Sequence, residues 1–186
     1  NNNDLNSFES LICSNYENYS DCSFLNNFKG MSLKHSGKLK EAIFYYEKAI
    51  KLNKSYFEAY NNLGNLYYNL KNYKEALNNY NKVLEINPNY LGGYTNRAIT
   101  FLEIDDFVSA LSDINRALQL DPNSTTALYN KGNILSKAGK FEEAIKCYEK
   151  VILEDSKFTS AYANISSCYE EIGIFDEALN YINKAL

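Results

Sequence analysis

The chain has 186 residues, a formal net charge of −4 and a pI near 5.1, enough length for one domain with a substantial core or for a short repeat array. The acidic balance argues against a phosphate-binding surface, because nucleic-acid affinity rests on clustered Lys and Arg. No apolar run reaches the ~18 residues of a membrane span and no signal-peptide pattern opens the chain, so the expected protein is cytoplasmic, with neither nucleic acid nor membrane as partner.

Residues 1–22 come first, and they open on Asn1 rather than Met, as a piece of a longer protein would. Leu5, Phe8, Ile12, Tyr16 and Tyr19 have near-helical spacing behind Asp4, a residue type suited to an N-cap. Residues 5 to 19 therefore read as a degenerate half-repeat that covers the apolar face of the repeat unit beginning at Ser23, with disorder as the competing expectation.

From Ser23 onward the chain repeats itself every 34 residues without insertion or deletion, giving five units: 23–56, 57–90, 91–124, 125–158 and a truncated 159–186. Positions within a unit are called slots 1 to 34. Slot 20 is always alanine (Ala42, Ala76, Ala110, Ala144, Ala178), and slot 8 is always small (Gly30, Gly64, Ala98, Gly132, Ser166). Small residues on facing helices let two backbones approach while larger neighbours fill the flanking grooves. Those neighbours are Leu33, Tyr67, Phe101, Leu135 and Tyr169 at slot 11, and Tyr46, Tyr80, Ile114, Tyr148 and Ile182 at slot 24. Apolar spacings of three, four and seven mark two amphipathic helices per unit, so the expected fold is all-α, an array of antiparallel helix pairs.

Gly37, Gly139 and Gly173 at slot 15 suit the turn inside a pair, and Pro88 and Pro122 at slot 32 suit the stop between units. Lys71 and Asp105 replace the glycine in units two and three, which predicts another turn conformation there. The adjacent Asp105 and Asp106 are expected to cap the second helix of unit three.

No catalytic or metal site is expected. The chain has no nucleophile elbow, P-loop or zinc-protease motif. The four cysteines, Cys13, Cys22, Cys147 and Cys168, lack metal-ligand spacing, and the single histidine, His35, falls at an exposed slot. The sequence thus predicts no enzyme, no cofactor and free thiols in a reduced compartment.

The phrase "AYNNLGNLYYNLKNYKEALNNYNKVLEINP", with the slot pattern above, resembles the tetratricopeptide repeat family over residues 23–186. Departures are Asn26 and Lys29 at slots 4 and 7 of unit one, Arg97 and Lys131 at slot 7 of units three and four, and Ser156 at slot 32. The resemblance implies a right-handed superhelix whose first helices line a concave groove. It also implies a protein-protein interaction module. A scaffold subunit, or the recruiting arm of an enzyme such as a glycosyltransferase, is the alternative.

Slot 6 is Asn62, Asn96, Asn130 and Asn164 in four consecutive units, and slot 9 adds Asn65 and Asn133. An Asn side chain offers two donors and an acceptor, matching a peptide group. Repeats spaced by about 10 Å would meet an extended chain every third residue, at ~3.3 Å each. These six asparagines are the expected partner-binding ladder, holding an extended, weakly charged segment of another protein. The ladder resembles that of the superhelix of O-linked N-acetylglucosamine transferase. Asn at slots 6 and 9 is also common repeat consensus, so internal scaffolding is the other reading. Members that capture acidic chaperone tails carry cations at slots 5, 2 and 6, where this chain has Asn61, Thr126 and Asn130. Without those cations such a tail is not an expected partner.

Overall fold

The computed structural model describes residues 21–185, so the half-repeat expected over residues 5 to 19 lies outside them. The described residues form ten helices and no strand: α1 (Ser23–His35), α2 (Leu39–Leu52), α3 (Phe57–Asn69), α4 (Tyr73–Ile86), α5 (Leu91–Glu103), α6 (Phe107–Leu120), α7 (Thr125–Lys137), α8 (Phe141–Glu154), α9 (Thr159–Glu171) and α10 (Phe175–Ala185). First helices begin 34 residues apart, and a short turn folds each second helix back along its partner. The chain divides after Tyr90 into two compact units, one holding α1 to α4 and the other α5 to α10. None of the described helices is long and apolar enough to cross a membrane.

The seam within each pair is built on small residues. Ala42, Ala76, Ala110 and Ala144 are fully buried, and Ala178 nearly so. A Cβ added at Gly30 or Gly64 would lie 2.7 Å from the ring of Tyr46 or Tyr80, and one at Gly132 would collide with Tyr148. The glycine is thus the space a tyrosine ring occupies. Where slot 24 is Ile114, slot 8 is Ala98, and both are fully buried. In the last pair Ser166 donates to the Ala178 carbonyl at 2.8 Å instead.

The turns correct one expectation. Lys71 and Asp105 do not use another conformation: their φ values of 58° and 59° lie in the same left-handed region as Gly37, Gly139 and Gly173 at 75°, 75° and 79°. Hydrogen bonding explains why. The residue after each turn donates its N–H back to slot 11, Asn72 to the Tyr67 carbonyl at 2.9 Å and Asp106 to that of Phe101 at 2.9 Å, as Lys38 does to Leu33 at 2.8 Å. Satisfying that helix-end carbonyl requires a left-handed residue, and the side chain bears the strain. The capping expectation divides between the two aspartates. Asp106 caps α6 by accepting from the Ser109 N–H at 3.0 Å, which holds its carboxyl below the usual range. Asp105 is the turn residue and pairs with Lys137 at 2.9 Å.

Between pairs, slot 31 carries an Asx turn. Asn53, Asn87, Asp121 and Asp155 each accept from the N–H two residues on, at 3.0, 3.2, 3.1 and 3.0 Å.

Candidate functional site

All six ladder asparagines are half-buried on first helices: Asn62 and Asn65 on α3, Asn96 on α5, Asn130 and Asn133 on α7, and Asn164 on α9. Helix is tolerated at Asn62, Asn65, Asn133 and Asn164 because each side chain bonds another side chain and does not compete for its own backbone.

In the first compact unit, Asn62 donates to Asn27 Oδ1 at 3.0 Å, and Asn27 in turn donates to the Tyr56 hydroxyl at 3.2 Å. Asn65 accepts from the Tyr80 hydroxyl at 2.7 Å. In the second compact unit, Asn133 Oδ1 accepts twice, from the Tyr148 hydroxyl at 2.8 Å and from Asn164 Nδ2 at 3.0 Å. Asn164 Nδ2 spends its other hydrogen on the Tyr129 hydroxyl at 3.1 Å. Asn130 makes no side-chain hydrogen bond among the described residues, and Asn96 takes the Thr100 hydroxyl on its backbone carbonyl at 2.8 Å.

Of the ladder, therefore, the structure brings Asn133 and Asn164 into direct contact. Their mutual bond and the two tyrosine hydroxyls use one end of each amide. The Nδ2 group of Asn133 and the Oδ1 of Asn164 have no partner among the described residues, and neither is sealed from solvent. Side by side, they present a donor and an acceptor.

This pair opens into a cavity of about 310 Å³ lined by Asn133, Ser136, Lys137, Tyr148, Asn164 and Ser167. Asn133, Ser136 and Lys137 share one face of α7 at spacings of three and four residues. Lys137 reaches back to the turn between α5 and α6, where Nζ donates to the Leu102 carbonyl at 3.0 Å and meets Asp105. Burial pushes the Tyr148 phenol well above its ordinary value, and it pushes the Cys168 thiol up despite the Ser136 hydroxyl 3.6 Å away. Neither group ionises near neutral pH.

Sequence reasoning did not pick out Tyr80, Tyr129, Tyr148 and Asn27 as orienting partners, nor Lys137 as a cavity residue. One signal was present. Asn at slot 9 occurs only with Tyr at slot 24, in units two and four, whereas Ile99 accompanies Ile114, Ser167 accompanies Ile182, and in unit one Met31 accompanies Tyr46. The two departures at slot 7 also find their reason. Arg97 grips Asp113 with two 2.7 Å bonds, and this hydrogen bonding raises its pKa further; Lys131 donates to Asn115 at 2.8 Å.

Tandem helix pairs seamed by small residues, with a polar first-helix face, define a helical-repeat protein built for interaction. The tetratricopeptide repeat profile matches residues 57–90 and 125–158, a further TPR repeat profile matches 30–71, and a third matches 159–186. The chain belongs to the tetratricopeptide repeat family, and its fold is that of a protein-interaction or scaffold module. Among solved structures, it resembles MamA at 27% identity and TM-score 0.78, covering 88% of this chain and 90% of that one. MamA from Desulfovibrio magneticus RS-1 superposes with TM-score 0.80 at 19% identity, over 88% of this chain and 92% of that one. YrrB, described as a TPR protein with an unusual peptide-binding site, gives TM-score 0.73 at 24% identity, over 94% and 90% of the two chains. No curated protein matches closely enough in sequence to count as a relative.

Proposed function

We propose that the chain is a binding module, not an enzyme, and that it holds an extended segment of another protein by its peptide groups at the ladder asparagines of the second compact unit, Asn133 and Asn164 foremost. The observation that supports this most is the Asn133 and Asn164 pair, in which tyrosine hydroxyls fix both amides and leave one NH2 and one carbonyl side by side. A peptide group presents the complementary carbonyl and N–H. Internal bonding and ligand binding are then compatible, because each amide has a spent end and an open end. The free thiols of Cys22, Cys147 and Cys168 suit a cytoplasmic setting.

The test is Asn133→Asp. Aspartate keeps an oxygen for Tyr148 and Asn164, yet it replaces the outward donor with a second acceptor that repels a ligand carbonyl. Its melting temperature should match wild type, and affinity for a capped seven-residue alanine–serine peptide should fall at least tenfold, since one hydrogen bond of ~1 kcal/mol is lost and a repulsion gained. Undiminished binding, or no measurable binding by the wild type, would sink this reading.

A further inference from the structure

We propose that the cavity between α7 and α9 takes the side-chain carboxylate of one aspartate or glutamate within the bound segment, with Lys137, Ser136 and Ser167 as its donors. The inference rests on the peptide-group reading above and extends it from backbone recognition to a preferred side chain. The Asn133 and Asn164 pair offers one donor and one acceptor, a neutral match for a peptide group. The rest of the lining is different in character: Ser136, Lys137 and Ser167 can all donate to an oxyanion, and no acidic side chain among the described residues lines the cavity.

Each of the three sits beside the amide pair. Ser136 and Lys137 follow Asn133 by three and four residues on α7, and Ser167 follows Asn164 by three on α9, so a side chain leaving a peptide group held by the pair would meet them directly. Ser136 Oγ accepts from the Cys168 thiol at 3.6 Å, which leaves its own proton to donate. Lys137 spends one N–H on the Leu102 carbonyl and one on Asp105, and the third is unspent. The bond to the Leu102 carbonyl directs the ammonium toward this face, which lowers the entropic cost of using it. Lys137 and Asp105 are 48% and 69% exposed, so their pair is screened by solvent and exchanges readily for a second carboxylate. A carboxylate in the cavity would add charge-assisted bonds from the two serines to the one from the ammonium. With a single ammonium the cavity suits one carboxylate, not an acidic run. The cation enters from slot 13, not from the slots that acidic-tail binders use.

The probes are three alanine–serine heptapeptides: one capped at both ends with a central glutamate, its twin with a central glutamine, and one without glutamate but with a free C-terminal carboxylate. Binding is followed by NMR through the Asn133 side-chain NH2 and the Lys137 backbone amide. The glutamate peptide should bind at least fivefold more tightly than the glutamine peptide. Lys137→Gln should abolish that preference, Lys137→Arg should keep it, and Asp105→Asn should strengthen it two- to threefold by removing the competing carboxylate. If glutamate and glutamine bind equally while both shift Asn133, the carboxylate inference falls and the peptide-group reading stands. If neither peptide shifts Asn133, both fall. Tighter binding of the peptide with the free C-terminus would overturn the side-chain assignment.

Discussion

The third and fourth repeats solve one packing problem in two ways. In the third, Ala98 faces Ile114 across the seam, and Arg97 and Asp113 lock the same two helices through a two-bond fork. In the fourth, Gly132 makes room for the Tyr148 ring, the hydroxyl reaches Asn133, and Lys131 turns away to Asn115. The third seam is closed by a charge pair that only Arg's planar fork can make. The fourth is closed by an aromatic ring whose polar tip reaches the ladder. One tyrosine therefore both fills the seam and orients the Asn133 amide in the fourth repeat, whereas Ile114 in the third fills its seam with no hydroxyl to do so.

The charge pair is the easiest feature to break. Arg97→Met strands Asp113, whose side chain is 8% exposed, and should cost about 3 kcal/mol in chemical denaturation, whereas replacing both partners with apolar residues should cost much less. Equal losses would mean that Asp113 finds another partner.

Alkali probes the tyrosine seam. Burial pushes Tyr46 up to about 12 from 10.0, and Tyr148 is raised also. Because the folded value lies above the unfolded one, this contribution is complete below pH 10 and is lost as pH climbs through 12. For Tyr46 alone the loss should reach on the order of 2 kcal/mol by pH 12. The change should appear as steepening unfolding alongside tyrosinate absorbance. A Tyr46→Ile, Tyr148→Ile double variant, built to resemble the third repeat, should flatten that dependence.

A smaller effect tests the coupling of slots 8 and 24. Gly132→Ala should lose about 1 kcal/mol, overpacking against Tyr148 outweighing the ~1 kcal/mol that alanine gains in a helix. Adding Tyr148→Ile should recover more than half of the loss, a coupling that a double-mutant cycle measures. Without recovery, the seam tolerates either residue and the glycine has another cause.

Lys71→Gly should change least, stabilising by about 0.5 kcal/mol. Glycine relieves the ~1–2 kcal/mol cost of a left-handed side chain but adds ~0.5–1 kcal/mol of unfolded-state entropy. A melting curve that falls would show that the Lys71 side chain contributes a contact of its own.

The helices were legible in the sequence because their signal is periodic: small residues at slots 8 and 20 and large ones at 11 and 24 recur at every unit. The turns at Lys71 and Asp105 were not, because glycine's absence hid the left-handed conformation that a backbone carbonyl at slot 11 demands. The ladder was half legible. Its residue types and spacing could be read, but an amide has two ends, and no one-dimensional pattern says which end is spent.

The sequence by itself determined where each helix starts and which face is apolar, since periodicity and residue size act over a few residues of chain. Tertiary structure alone decided that Asn133 meets Asn164, 31 residues on, and that Lys137 meets Asp105, 32 residues back. Those meetings depend on how one helix pair stacks on the next, a matter of side-chain volume across a seam. Hydrogen-bond direction at Asn133 and Asn164 follows from that stacking, because an amide turns its open end to the cavity only after a neighbouring hydroxyl has claimed the other.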